Sequence, residues 1–324
     1  MDRLKPVSLS PMRVAVLLGG DSAEREISLQ SGKAVSQAIA GQGHSIAQVD
    51  PADTDLDAFD WSSIDVAFLA LHGTFGEDGG VQEILERHGV AFTGSNSVAS
   101  RLAFNKVAAK EAFAQNGIPT PPGISFSAPS EAERDIEAEA RQLGFPVVVK
   151  PDAQGSSIGV TIVRNEADLG EAIGNCLAVS ETGLIEKAIE GSEWTLGVID
   201  DDPLPLIQIS TDRGFFDFTA KYEDDGTGYH FDADTDPATV SRIEAAGLAA
   251  CRALATTEFA RVDLIVDVSG QPTVLEVNTI PGMTDHSLVP KAAERIGLSL
   301  GELCDIVLAR TLAQAGRQKL RDAS

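Results

Sequence analysis

The stretch from Arg261 to Ser287 constrains the fold of this chain more than any other segment. Polar and apolar residues alternate through its first half and again from Pro272 to Asn278, with Val268-Ser269-Gly270-Gln271 between them. A two-residue turn at Ser269-Gly270 makes this an antiparallel hairpin. In that register Asp263 faces Glu276 and Arg261 faces Asn278, and the period of two puts all four side chains on one face. Opposed carboxylates repel. A hard divalent cation removes the conflict, because Asp, Glu and Asn oxygens are what Mg²⁺ takes, with phosphate oxygens completing its octahedron. The hairpin therefore reads as a metal–phosphate site with an arginine beside it. The plain alternative, a solvated hairpin face, stays open on pattern alone. Apolar neighbours (Leu264, Ile265, Val266, Leu275, Val277) favour the site, since they bury both faces and make an unpaired carboxylate costly. The second strand also runs straight into a polar loop, Asn278 to Ser287, whose Pro281 and Gly282 suit close approach to a ligand.

A chain of 324 residues can bury a large core, and its length predicts two or three domains. Its 49 acidic against 25 basic residues give a net charge of -24, which argues against nucleic acid or an anionic membrane as partner. A phosphate ligand must then be met by a few local cations. Cys176, Cys251 and Cys304 are far apart and odd in number, so they read as small buried hydrophobes in a reducing compartment. No apolar run reaches the roughly 20 residues of a membrane span. The N-terminal MDRLKPVSLSPM lacks the apolar core of a signal peptide, so a cytosolic protein is expected.

The first part of the chain reads as α/β. A strand from Val14 to Leu18 ends in Gly19-Gly20, and a helix follows from about Ala23 to Ala40. A second strand, Val66 to Leu71, ends at His72-Gly73 before a glycine-rich loop and a short helix from Val81 to His88. That order predicts a parallel sheet with functional loops at the carboxyl ends of its strands. No Gly-x-Gly-x-x-Gly follows the first strand, so dinucleotide binding is not supported. A helix from Arg101 to Gln115 stops at Asn116-Gly117, with Pro119, Pro121 and Pro122 beyond, which marks a domain boundary. A helix from Glu131 to Leu143, a strand ending at Lys150 and strands at Leu184–Ile189 and Trp194–Ile199 follow. Thr211 to Asp236 is long, polar and aperiodic, the kind of segment that is functional or disordered. Pro237 starts a helix, and Ser299 with Glu302 forms a capping box for the last one.

Gln154 to Gly159 (QGSSIG) follows a strand and offers N–H groups, two hydroxyls and two permissive glycines that can cradle phosphate. It is no Walker A motif, because no Gly-Lys-Ser/Thr follows, and a simple turn is its alternative. Lys150 ends an apolar strand beside it, where a buried ammonium needs an anion. Lys106, Lys221, Tyr222, Glu186 and Glu193 each have an ordinary surface reading when taken singly. Glu24 has a capping-box alternative with Asp21, and His72 that of a strand-terminal hydrogen-bonding histidine.

Taken in order, LLGGDSAEREIS (17–28), ALHG (70–73), GEDG (76–79), GSSIG (155–159), AKY (220–222), RVD (261–263) and EVNTIPGMTDHSL (276–288) resemble the D-alanine–D-alanine ligases of the ATP-grasp superfamily. The resemblance runs from about residue 13 to 312. Its departures are mild: Gln154 where an acidic residue is common, Ile280 where Ser is often seen, Phe218 where Tyr is frequent. It implies an α/β ATP-grasp protein with an N-terminal parallel-sheet domain (1–100), a central subdomain (101–190) and a C-terminal subdomain (191–324) that carries the metal site and a closing loop.

The same resemblance implies ATP-dependent joining of two D-alanines through an acyl phosphate, for peptidoglycan precursors in a bacterial cytoplasm, by a homodimer. Asp263, Glu276 and Asn278 would hold two Mg²⁺ (or Mn²⁺) ions. Arg261 and the Gly282 N–H would stabilise the transferring phosphoryl group and the oxyanion. Lys106 and Lys150, with Ser157, would bind ATP's phosphates; Lys187 and Ile189 would offer backbone to adenine, Glu186 its edge, and Glu193 a ribose contact. Glu24 would take the first D-alanine's ammonium, with His72 nearby, while Ser287 and the Leu288 N–H would take the second's carboxylate. Ser156 and Tyr222 would bridge to Glu24, and Lys221 would reach the γ-phosphate, as the long loop closes and excludes water. Ala-Lys-Tyr favours the dipeptide over a D-lactate ester. The rivals are a ligase joining D-alanine to D-lactate or D-serine, and a nucleotide-binding regulator without turnover.

Overall fold

The computed structural model describes residues 4–127, 136–211, 226–231 and 235–322. Strands β1 (Arg13–Leu17), β2 (Ser45–Val49) and β3 (Val66–Leu69), with helix α1 (Arg25–Gly41), build a parallel sheet ordered β2-β1-β3. The apolar residues of β1 and all of β3 are buried, as strands covered by helices on both faces must be. β2 mixes Ser45 and Gln48 with apolar residues, and only Val49 is fully buried, which is why the sequence pattern did not reveal it. Helix α1 starts at Arg25, later than expected, and Glu24 is its N-cap residue without a side-chain cap bond. The capping box between Asp21 and Glu24 therefore does not form, because it needs the glutamate three residues inside the helix. Helix α2 (Gly80–Arg87) follows β3 as expected.

The expected single helix before the first boundary is two, α3 (Ser97–Phe104) and α4 (Lys106–Gln115). Asn105 breaks it: its ψ of 104° leaves the helical region, and its Oδ1 accepts the Ala108 N–H at 2.7 Å. An asparagine gains more as a cap than inside a helix. Lys106 thereby becomes the first residue of α4. Strands β4 (Gly123–Ser127), β5 (Val147–Pro151), β6 (Thr161–Val163) and β7 (Thr182–Lys187) form an antiparallel sheet ordered β4-β7-β5-β6. Helices α5 (Ile136–Leu143) and α6 (Leu169–Leu177) pack on it through Ala140, Leu169, Ala172 and Cys176.

A second antiparallel sheet contains β8 (Ser192–Ile199), β9 (Asp202–Pro203), β10 (Ile207–Ser210), β11 (Gly228–His230), β12 (Phe259–Val266) and β13 (Pro272–Asn278). Its order is β11-β10-β8-β12-β13, with β9 on β8. Helix α7 (Pro237–Ala253), capped by Asp236, covers it closely enough that a Cβ on Gly247 would fall 2.6 Å from Leu196 Cδ2.

The β12–β13 register is the expected one at the polar face, Arg261 opposite Asn278 and Asp263 opposite Glu276, but it is reached differently. The turn has three residues, not two: the Asp267 N–H donates to Gln271 O at 3.1 Å, and Gly270 takes the left-handed conformation at φ 76°. Such a turn slips the pairing by one. A bulge restores it, since Asp263 pairs with Glu276 but Leu264 with Val274, leaving Leu275 as the extra residue.

Helices α8 (Leu288–Arg295) and α9 (Leu300–Asp322) end the chain. The expected capping box opens α9, with the Ser299 N–H on Glu302 Oε2 at 2.8 Å and the Glu302 N–H on Ser299 Oγ at 3.3 Å. These helices return to the first sheet, so Leu303, Val307 and Leu308 share one apolar cluster with Val14, Val35, Ile39 and Phe68. Ile199, Ile207 and Phe259 of the second antiparallel sheet join the same cluster, tying the first and last parts of the chain together. All three cysteines are buried, as read from the sequence.

Candidate active site

The three sheets' loops meet at one cleft. Glu24, His72, Lys106, Ser156, Arg261, Glu276, Asn278, Gly282, Ser287 and Leu288 all line it, although they come from segments scattered over the whole chain.

The Glu24 carboxylate sits between two glycines. A Cβ on Gly155 would collide with its Oε2, and one on Gly73 would lie 2.8 Å from the same atom. Ser156 Oγ donates to Glu24 Oε1, so the glycine-rich loop is seated on the N-terminal part of the chain. Ser156 and Ser157 both hold positive φ, 49° and 58°, a conformation costly for residues with a Cβ and typical of ligand clamps. His72 is buried with Nε2 3.0 Å from Ser31 Oγ, and its carbonyl accepts the Ser22 hydroxyl at 2.6 Å. Burial, helped by the Arg261 charge, pushes its imidazole down to about 4, so the ring is neutral near pH 7.

On β12, Arg261 lies along Asp263, with Nε 3.0 Å from Oδ1 and Nη2 2.9 Å from Oδ2. Thr195 Oγ1 donates to the same Oδ1 at 2.7 Å. Glu276 faces Lys106 Nζ at 3.7 Å, and Asn278 Oδ1 accepts the Ile280 N–H at 2.9 Å. Cations of the chain itself thus meet both carboxylates. Among the described residues no three His, Cys, Asp or Glu side chains gather as a metal cluster. Two carboxylates and one amide oxygen are too few to close an octahedron by themselves. They fit a magnesium ion that shares phosphate oxygens.

Lys150 and Lys110 converge on Glu186, with Nζ 2.6 Å from Oε2 and 2.7 Å from Oε1. Burial pushes the Glu186 carboxyl up, but the two ammonium groups outweigh it and hold the group below its usual range. The anion that Lys150 requires is therefore supplied within the protein. Lys187 closes β7, donating its N–H to Pro122 O at 2.8 Å and its Nζ to Gly144 O at 2.7 Å. Ile189 is half-buried just beyond that strand, and Glu193 sits on β8 opposite Ile209 and Ile265. Lys150, Ser157, Glu186, Lys187, Ile189, Glu193 and Asp263 are not on the cleft wall itself. Lys221, Tyr222 and Phe218 lie outside the described residues.

Ser287 is the N-cap residue of α8, yet its side chain does not cap the helix. Its Oγ accepts the Thr284 N–H at 3.0 Å and lies where a Cβ on Gly282 would come within 2.7 Å. In the first turn of α8 Leu288 and Val289 carry N–H groups while Pro290 has none, and N–H groups at a helix start suit a carboxylate. Two cleft residues escaped the sequence reading. Glu77 is buried, accepts the Gly73 N–H at 2.7 Å, and is pushed well above the usual carboxylate range by burial and then by the Glu24 charge. It belongs to the GEDG run, which was read as a motif without a role. Tyr229 lies on β11 with Lys291 Nζ 5.7 Å from its ring, in a segment whose lack of periodicity hid it.

A parallel-sheet unit joined to two antiparallel sheets, with lysines, a glycine-rich loop and an acidic hairpin around one cleft, is the architecture of an ATP-grasp ligase. The model of the D-ala D-ala ligase C-terminus matches residues 112–309, and that of the D-ala D-ala ligase N-terminus matches residues 44–95. This chain belongs to the D-alanine–D-alanine ligase family. The D-alanine–D-alanine ligase of Marinobacter nauticus is 43% identical over 302 residues, 93% of this chain and 92% of its own length. That of Nitrosomonas europaea is 43% identical over 291 residues, 90% and 94% of the two chains. The Bacillus anthracis D-alanine–D-alanine ligase complexed with ATP has a similar structure, with a TM-score of 0.83 at 32% identity over 95% of this chain and 99% of that one. A D-Ala:D-Ser ligase from Enterococcus faecalis is similar at a TM-score of 0.80 and 28% identity, over 93% and 100%.

Proposed function

We propose that this cleft joins two D-alanines to D-alanyl-D-alanine at the expense of ATP. The enzyme is a carboxylate–amine ligase, and the reaction runs through an acyl phosphate. The observation that carries the reading is the polar face of β12 and β13: Arg261, Asp263, Glu276 and Asn278 in register, with Lys106 reaching across to Glu276. That face answers the physical difficulty of the reaction, which is to bring a carboxylate against a polyphosphate without repulsion.

Asp263, Glu276 and Asn278 would hold the two magnesium (or manganese) ions, which supply positive charge against the phosphate oxygens when bound. Lys106 and Lys150, with Ser157 and the glycine-rich loop, meet the phosphates. Lys187, Ile189 and Glu186 border the adenine, and Glu193 the ribose. Glu24, with neutral His72 beside it, takes the ammonium of the first D-alanine. Ser287 and the Leu288 N–H take the carboxylate of the second. Arg261 and the Gly282 N–H stabilise charge on the transferring phosphoryl group and the oxyanion. Ser156, already donating to Glu24, would form with Tyr222 the bridge that closes the long loop and keeps water from the acyl phosphate, and Lys221 of the same loop would reach the γ-phosphate.

The division into residues 1–100, 101–190 and 191–324, a homodimer formed through the N-terminal part, and a bacterial cytoplasm that uses the product for peptidoglycan complete the proposal. Among the described residues no helix is long and apolar enough to cross a membrane. The test is ADP release with and without D-alanine, followed by mass analysis of the product. D-alanine-dependent ADP with D-alanyl-D-alanine as product is expected. ADP release that ignores D-alanine, or a product containing D-serine or D-lactate in preference, overturns the reading.

A further inference from the structure

Asp152 follows β5 at the root of the glycine-rich loop and is buried, yet none of the roles above involves it. Its N–H donates to Thr182 O at 3.1 Å, which pins the backbone to β7. Its carboxylate reaches from there to the start of α4. Oδ1 accepts the Val107 N–H at 2.9 Å, and Oδ2 accepts Asn105 Nδ2 at 2.7 Å and Thr182 Oγ1 at 3.3 Å. Asn105 Oδ1 already caps α4 through the Ala108 N–H. A helix N-terminus is adequately served by one such side chain. Here a second acceptor, brought from a different element and carrying a full negative charge, occupies the same end, where the helix dipole favours it.

Between Asn105 and Val107, the two residues that the Asp152 carboxylate holds, stands Lys106. Its N–H lies 3.3 Å from Asp152 O, and its Nζ donates to Gln154 O at 2.7 Å. The contacts close a ring: Asp152 to Asn105, along the backbone to Lys106, across to Gln154, and back along the chain to Asp152. Lys106 and the glycine-rich loop cannot move apart without breaking that ring.

We propose that Asp152 is a positioning residue for nucleotide binding. Through Asn105 and Val107 it locks the start of α4 to the root of the glycine-rich loop, so that Lys106 and the loop meet a phosphate chain as one preset unit. This rests on the phosphate role of Lys106 proposed above. The 2.7 Å contact between Asp152 and Asn105 allows a reciprocal test. Asp152→Asn sets an amide NH₂ against the Asn105 NH₂, and Asn105→Asp sets two carboxylates together. The exchanged double variant restores one donor and one acceptor while each residue keeps an oxygen for its helix N–H.

The expected result is an ATP KM raised about tenfold in each single variant, the scale of one hydrogen bond to a charged group. The KM for D-alanine should change less than twofold, and the exchange should recover most of the ATP effect. Single variants that lower the melting temperature and kcat with the ATP KM unmoved would make Asp152 an ordinary helix cap and overturn the proposal. So would an exchange that restores nothing. Lys106→Ala separates the two levels: an unchanged ATP KM there removes the phosphate role of Lys106, whereas a raised one with normal Asp152 variants removes only the positioning role.

Discussion

Arg261 and Asp263 stand two residues apart on one face of β12 and form a two-point ion pair, Nη2 to Oδ2 at 2.9 Å and Nε to Oδ1 at 3.0 Å. The arginine thus rests on a carboxylate that the proposed chemistry needs for a metal ion. If Asp263 holds a metal ion, that ion would compete with Arg261 for the carboxylate and would leave the guanidinium, a fork of donors that suits a phosphate, available to the transferring group. Asp263→Asn keeps the shape and the Thr195 contact but removes the charge. The Mg²⁺ concentration for half-maximal turnover should then rise on the order of tenfold. An unchanged Mg²⁺ titration would remove Asp263 from the proposed ligands.

The Asp263–Glu276 pairing was legible in the sequence for a reason that the structure corrects. Alternation within each strand fixed which residues share a face, and burial of the other face makes a one-residue slip costly. The turn chemistry at Ser269-Gly270 did not fix the count: a three-residue turn and the bulge at Leu275 change the pairing by one residue each and cancel at the polar end. Glycine-rich runs and strand-terminal polar residues were equally readable, and they place Glu24, His72, Ser156 and Ser287 around the cleft. Partners distant in sequence were not. Glu186 gathers Lys110 and Lys150, and Asp152 grips Asn105, only because the fold brings three elements together; no local pattern carries that. Asn105 shows the limit at short range too, since helical periodicity runs through it while its side chain prefers to start a new helix.

Gly155 is a position where a methyl group tests the seating of the glycine-rich loop. Its Cβ would collide with the Glu24 carboxylate that also accepts the Ser156 hydroxyl. Gly155→Ala should therefore lift the loop from Glu24, raising the KM for D-alanine and the share of ATP hydrolysed without dipeptide, each several-fold. Parallel assays of ADP and dipeptide measure both. Coupling as tight as in the unaltered enzyme would show that the loop does not need this contact in turnover.

Glu186 is buried between two ammonium groups, so removing its charge leaves both short of a counter-ion. Breaking a buried ion pair from one side costs about 3–5 kcal/mol. Glu186→Gln should lose stability on that scale in urea unfolding, while Glu186→Gln combined with Lys110→Met should recover part of it by removing one unpaired charge. A single variant within 1 kcal/mol of the starting protein, a margin typical of solvated ion pairs, would mean that water reaches this site.

Glu258 joins the N-terminal part of the chain to its last helix without a cationic partner at its described contacts. Held at φ 65°, it is buried, and its Oε2 accepts the Gly94 N–H at 2.7 Å and the Thr311 hydroxyl at 2.5 Å. Burial pushes its carboxyl from 4.5 up to about 8, against the smaller pull of those two donors. The folded protein then holds a proton that the unfolded chain has released, so this group's contribution is fully present below pH 4.5, falls as pH rises, and is lost by about pH 8. Glu258→Gln keeps an acceptor oxygen and cannot ionise. The stability of the unaltered protein relative to this variant should drop by about 1.4 kcal/mol per pH unit within that window and stay flat outside it. Urea midpoints measured for both proteins across the window read the difference directly, and curves that run parallel throughout would mean that Glu258 titrates alike in the folded and unfolded chain.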